Sequence, residues 1–204
     1  LKNKYFKPIM PSSWDKNMNE WLNTLDIEKV MNQYKYKYPN FHFIGPVPMD
    51  FDTELSPGDC VINELCKIKI KKLIKSGKTK LGIIFNLDKH SQPGSHWVSL
   101  FADFDTNKVY YFDSYGFTEP SEVTTLIERF KQQGKEIGRK IDSYTNNIRH
   151  QFKGSECGVY SIHFIIKLLE NKKYEDLIKS IIKDDEMQKN RFKYFINKKQ
   201  FDLN

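Results

Sequence analysis

The sequence predicts an α+β domain with a central mixed sheet flanked by helices, and three observations carry that prediction. LGIIFNL, WVSLFADF and KVYYFDS follow one another between residues 81 and 114. They are short runs rich in β-branched and aromatic residues, bounded by Gly, by the polar KHSQPGS and by an Asp-Thr-Asn turn. Stretches with apolar residues at helical spacing lie on both sides of them. At 204 residues, 39% hydrophobic and 14% aromatic, the chain is long enough to bury a substantial core. One domain over 1–204 is expected, with no internal repeat, low-complexity tract or linker.

Taken in order, residues 1–20 read as an irregular lead-in with Pro8, Pro11 and two adjacent serines; Trp14 and Trp21 stand out in and just after it. Asn23 or Thr24 can cap a helix whose stripe is Ile27, Val30, Met31 and Tyr34, and Pro39 ends the YKYKY stretch that follows. FHFI is a short strand, and the proline-rich GPVPMDF reads as loop. Ser56-Pro57-Gly58-Asp59 supplies a cap, a first-turn proline and an acid. A helix is expected from there through Val61, Ile62, Leu65, Cys66, Ile68 and Leu73 to Ser76-Gly77. After the three strands, Pro120 to about Lys135 is helical on a stripe of Val123, Leu126, Ile127 and Phe130. A weak strand at Ile141–Tyr144, a loop from Gln151 and a helix opened by Cys157 come next. Helices at Tyr174–Ile182 and Asp184–Ile196 close the chain.

The net charge of +7 comes from scattered lysines, with small clusters at Lys67–Lys80 and Lys193–Lys199. Such a surface can attract nucleic acid or acidic proteins, but it is at least as often a solvated face, and no nucleic-acid module is visible. No apolar run approaches the roughly 18 residues that span a bilayer, so no membrane partner is expected. LKNKYFKPIM lacks the apolar core and cleavage pattern of a signal peptide. Three cysteines, an odd number without framework spacing, argue against a disulfide scaffold and for a reducing, intracellular compartment. Cys60 and Cys66, read as helical, lack a CxxC or a nearby His pair, so no zinc site is expected.

The chemistry concentrates in NIRHQFKGSECGVYSIHFI. A thiol at a helix N-terminus is biased toward thiolate by unpaired amides and the helix dipole, which makes Cys157 the candidate nucleophile. Gln151, six residues upstream, is a neutral donor for a developing oxyanion. A cysteine hydrolase also needs an imidazole beside the thiol and a group that fixes its tautomer. Among five histidines, His163 turns to another face of the Cys157 helix, His42 sits in a short strand and His90 in a loop. His150, adjacent to Gln151, is the rival. His96 is better placed, because it starts one strand while Asp113 ends the next. In an antiparallel hairpin the two ends are neighbours, held by sheet rather than loop. Asp103 and Asp105 lie at the opposite end and read as turn residues.

HWVSLFADF, VYYFDS and QFKGSECGVYSIHF resemble the catalytic boxes of the ubiquitin-like-protein-specific cysteine proteases. This is the SUMO/NEDD8 protease family, related to the adenovirus processing protease. WLNTLDIEKVMNQY resembles that family's WLND-type helix start. The resemblance spans about residues 20–170, and the order His, Asp, Gln, Cys is specific to it. NNIRHQ…ECG is similar in particular to the SUMO-protease-like polyprotein-processing enzymes of large DNA viruses. The resemblance implies a papain-like, adenovirus-protease-like fold with Cys157 as nucleophile, His96 as base and later acid, and Asp113 as orienter. Gln151 and the Cys157 N–H would form the oxyanion hole. Trp97 and Trp21 would wall a narrow tunnel for a substrate Gly-Gly, where flat aromatic faces admit bare backbone and reject bulk. The sequence departs from the pattern at Glu156, where an aspartate is usual before the cysteine, and at Thr24, where an aspartate follows WLN.

The expected function is therefore a cysteine endopeptidase or isopeptidase that cleaves after Gly-Gly and processes a viral polyprotein at Gly-Gly-X. It would act as a monomer in a virion or host cytoplasm, with no metal or organic cofactor. The alternatives are a protease acting on ubiquitin-like protein conjugates, an inactive module that binds ubiquitin-like tails, and a DNA-bound protease using the basic surface.

Overall fold

The computed structural model describes residues 7–197. Residues 1–6 of the lead-in, and Lys198 and Lys199 of the basic cluster, lie outside the described residues. The lead-in is otherwise irregular apart from a short 3-10 helix at Ser12–Asp15, whose Trp14 is buried.

Asn23, as foreseen, caps helix α1 (Thr24–Lys37). Its side chain accepts from Asp26 N at 2.9 Å while Asp26 returns the bond to Asn23 N at 3.0 Å. This reciprocal box satisfies two of the amides that every helix start leaves open. The three strands foreseen at the centre are β4 (Lys80–Asn86), β5 (Trp97–Asp103) and β6 (Lys108–Phe112), consecutive and antiparallel. β1 (Phe41–Pro48) adds in parallel beside β4, and β7 (Asp142–Thr145) in parallel beside β6. The result is a five-stranded mixed sheet in the order β1-β4-β5-β6-β7.

The sheet is buried on both faces, as the near-continuous apolar runs of β4 and β5 require. Ile84, Phe101 and Phe112 point to one side, where α1 packs with α5 (Cys157–Leu169) and α7 (Asp184–Tyr194). Leu81, Ile83, Phe85, Val98 and Leu100 point to the other, against α4 (Ser121–Glu136). α5 is buried on almost every side and runs through the core across β5, so that even its polar Ser161 and His163 are enclosed. α6 (Tyr174–Lys179) follows it.

Three expectations fail between residues 45 and 66. GPVP is not loop but the second half of β1, with a register shift between Ile44 and Val47. β1 is an edge strand, where a missing proline N–H costs little because one side has no partner. The long helix from Ser56 does not form. Pro57-Gly58 instead turns a small hairpin of β2 (Glu54–Ser56) and β3 (Asp59–Cys60), with Gly58 at φ +81°. Proline followed by a left-handed glycine is turn chemistry, and it outweighs the capping signal. Only two short helices follow, α2 (Asn63–Cys66) and α3 (Ile70–Lys75). Finally, Cys60 and Cys66 form a disulfide. On one continuous helix they would point apart; the reversal from β3 into α2 brings their Cα atoms to 6.6 Å.

Candidate active site

The β5–β6 hairpin sets the first two members of the site. Ser99 pairs with Phe112, so the residues just outside that pair, His96 before β5 and Asp113 after β6, come together at one end of the sheet. The His96 carbonyl extends the β4 ladder by accepting from Leu87 N at 3.0 Å, which fixes its backbone. His96 Nε2 lies 2.7 Å from Asp113 Oδ1, with His96 7% and Asp113 1% exposed. The same Oδ1 accepts from Tyr115 N at 2.8 Å, and the Asp113 carbonyl accepts from Asn146 Nδ2 at 3.0 Å. The carboxylate is thus held by one backbone amide, and the backbone of Asp113 by Asn146.

Cys157 opens α5, buried to 1% exposure, with its thiol in interaction range of the His96 ring. With Nε2 committed to Asp113, Nδ1 is the nitrogen left for the sulfur. Burial alone would push the His96 imidazole down, but the Asp113 carboxylate and Cys157 together hold it up at about 9 from its ordinary 6.5. The pairing thus favours the protonated imidazole. Tyr115 stacks on it at 4.6 Å, and Arg149 lies over Tyr115 at 5.3 Å.

Gln151 is fully buried and held at both ends of its amide. Oε1 accepts from Ser114 Oγ at 2.6 Å, and Nε2 donates to the Lys153 carbonyl at 2.6 Å. An amide nitrogen carries two hydrogens, so one N–H remains for a carbonyl oxygen. The Ser114 carbonyl also accepts from Gln151 N and His150 N, each at 2.8 Å. The residue next to Asp113 thereby ties the Gln151 loop to the hairpin.

The rival histidines are otherwise engaged. His150 Nε2 lies 3.1 Å from the Ile178 carbonyl, and burial holds this imidazole below its ordinary range. His163 Nδ1 meets Tyr194 Oη at 2.7 Å, and burial followed by Lys167 lowers it to about 3. His42 pairs with Glu64 and His90 with Asp50, both at the surface. Asp103 accepts from Asp105 N and Thr106 N, as a turn residue does.

Trp97 and Trp21 line one cleft of about 620 Å³, together with Leu22, Pro46, Pro48, Leu55 and Gly94. Trp97 is buried and donates through Nε1 to the Leu22 carbonyl at 2.9 Å, so the two tryptophans share a backbone tether. Trp21 is 44% exposed and also borders a second depression, formed by Gly154, Ser155 and Glu156 with Asp184 and Gln188 of α7. Gly158 makes the close approach of α5 to this region: a Cβ there would sit 3.0 Å from Leu22 Cβ.

Sequence reasoning missed Ser114, Tyr115, Asp184 and Arg191. The first two directly follow Asp113 in FDSYG, and that adjacency was the available signal. The α7 residues carry no local signal, because they reach the site only through tertiary packing. Among the described residues, no cluster of His, Cys, Asp and Glu could hold a metal ion.

This arrangement has counterparts. Protein R355 of Acanthamoeba polyphaga mimivirus, whose name places it among thiol proteases, is 38% identical over 179 residues. That match covers 87% of this chain, which spans 57% of the relative's length. The cysteine protease S273R of African swine fever virus is 30% identical over 189 residues, covering 88% of this chain and 69% of the relative. Its crystal structure superposes with a TM-score of 0.76 at 28% identity, over 94% of this chain and 72% of that one. The yeast Ulp1 protease domain, solved in complex with the SUMO orthologue SMT3, shares the fold. It matches at a TM-score of 0.56 and 20% identity, over 83% of this chain and 74% of that one. Residues 77–203, from before β4 to beyond α7, match the Ulp1 protease family, C-terminal catalytic domain, and the chain belongs to this family of cysteine peptidases.

Proposed function

We propose that the chain is a cysteine endopeptidase that cleaves after Gly-Gly with Cys157, His96, Asp113 and Gln151, and that it processes a polyprotein at Gly-Gly-X. The observation that carries this reading is the 2.7 Å bond between His96 and Asp113 beside a thiol at the head of α5. An imidazole oriented by a carboxylate beside a thiol can take the thiol proton and return it to the leaving amine. The thiolate attacks the carbonyl of the second glycine and the C–N bond breaks. The amine leaves with the proton from His96, and water, deprotonated by His96, hydrolyses the thioester. The free N–H of Gln151 and the Cys157 N–H would receive the oxyanion in both steps. Trp97 and Trp21 support the Gly-Gly preference, since they border one cleft and the substrate backbone would pass between flat rings.

A second reading is cleavage of ubiquitin-like protein conjugates. Some African swine fever virus relatives are named SUMO-1 cysteine proteases, which favours it. Profiling on Gly-Gly-X peptides beside intact SUMO and ubiquitin conjugates tests both readings, with Cys157→Ala as control. Preferred cleavage of peptides supports polyprotein processing, and preferred cleavage of conjugates supports the second reading. Full activity of Cys157→Ala would end both.

A further inference from the structure

Two clamps hold the loop that ends in Cys157, and both come from α7. At its start, Asp184 Oδ2 accepts from Phe152 N at 2.9 Å and from Lys153 N at 3.2 Å. Roughly two turns further on, Arg191 donates from Nε to Glu156 Oε2 at 3.0 Å and from Nη2 to Oε1 at 3.1 Å. Nη2 also reaches the Ser155 carbonyl at 3.5 Å. Arg191 is 0% and Glu156 2% exposed. The guanidinium lies 4.7 Å over Trp14, which meets Phe195 edge-on at 4.8 Å.

Stability is a poor explanation for this pair. Taking both charges out of water offsets much of their attraction, and neutral replacement of a buried pair is often harmless. Here Arg191 Nη1 also finds no protein partner, which adds a further cost. What a bidentate fork does supply is direction, because both donors and both acceptors must align. Glu156 stands at the cap position of α5, yet its side chain makes no capping bond to that helix. The first turn of α5 is therefore oriented from α7 rather than by its own cap.

We propose that the Arg191–Glu156 pair is a positioning device through which α7 sets the location of Cys157 relative to His96. It rests on the reading of Cys157 as nucleophile. Glu156 is one peptide bond from Cys157, so a displacement of its carboxylate is transmitted to the sulfur through backbone alone.

The test is the doubly neutral variant Glu156→Gln/Arg191→Met, with Arg191→Lys as the milder change. Three quantities are read: kcat and KM on a Gly-Gly-X peptide, Tm, and the rate at which iodoacetamide alkylates Cys157. The expected result is a kcat lower by about 10- to 100-fold, the scale of an ångström-sized misplacement. KM and Tm should stay close to wild type, and alkylation should slow. Arg191→Lys, which keeps the charge and loses the fork, should fall between. Wild-type kcat and alkylation rate in the double variant would overturn the proposal, and so would a loss of activity that tracks Tm across the set. If the double variant does not fold, Arg191→Lys decides alone: kcat equal to wild type overturns the proposal. Alkylation needs no peptide, so failure here is separable from failure of the Gly-Gly reading, which Cys157→Ala reports.

Discussion

His96 Nε2 and Asp113 Oδ1 stand 2.7 Å apart across the open end of a hairpin whose turn lies at the far end of the same two strands. Rigid sheet, rather than a loop, fixes the distance between the imidazole and its orienting carboxylate. Tyr115 N donates to the same carboxylate oxygen, and Asn146 Nδ2 holds the Asp113 backbone by donating to its carbonyl.

The first prediction concerns pH. The His96 imidazole is held up at about 9 by Asp113 and Cys157 against the effect of burial. A raised folded-state value means that the pairing stabilises the protein fully below about pH 6.5 and that this stability is lost as pH rises through about 9. Wild type should lose stability across that window and His96→Asn should not, as denaturant titrations at pH 6, 8 and 9.5 would reveal. The alkaline limb of kcat/KM should fall near the same value, and Asp113→Asn should move it down. Parallel stability curves for wild type and His96→Asn would contradict this.

Gln151→Ala should lower kcat on the order of 10²–10³-fold, the scale of a lost oxyanion donor. Ser114→Ala removes only the bond that aims the amide, so a smaller loss is expected. Single-turnover acylation rates separate the two. Equal losses would mean that Ser114 does more than orient Gln151.

Trp21→Ala is expected to raise KM for Gly-Gly substrates and to relax selectivity against bulkier residues. At 44% exposure the side chain contributes little to the core, so Tm should barely move. Steady-state kinetics on Gly-Gly and Ala-Gly peptides would check it. Unchanged selectivity would remove Trp21 from the substrate path.

The Cys60–Cys66 disulfide braces the β2–β3 hairpin, and Leu55, Val61 and Ile62 around it line the cleft. Cys60→Ser/Cys66→Ser should cost about 2 kcal/mol at most, the chain-entropy scale for so short a loop. It should raise KM while leaving kcat alone, because the reacting groups lie on other elements. Denaturant titration and steady-state kinetics would measure both. A fall in kcat would mean that the hairpin is coupled to the thiol.

The placement of the candidate site residues was largely legible from residue order. Strand patterning brought His96 and Asp113 to one end of a hairpin, and helix periodicity put Cys157 at the head of α5. Those are local properties, since strand alternation and helix starts depend on neighbours in the chain. The misreadings at 45–66 were also local, but there two local signals competed. Pro57-Gly58 can begin a helix or turn a hairpin, and the sheet edge beside β4 accepted the prolines that a central strand would have refused.

The sequence by itself thus determined the α+β class, the three central strands, and the identity and order of the residues proposed for the chemistry. Only the tertiary structure decided what holds them in position. Ser114 reaches Gln151 across 37 residues and Arg191 reaches Glu156 across 35, and no periodicity encodes such bonds. They arise because α5 is buried along almost its whole length and must be enclosed. The turn after β6 and helix α7 bring Ser114 and Arg191 to the head of the helix, where Cys157 stands.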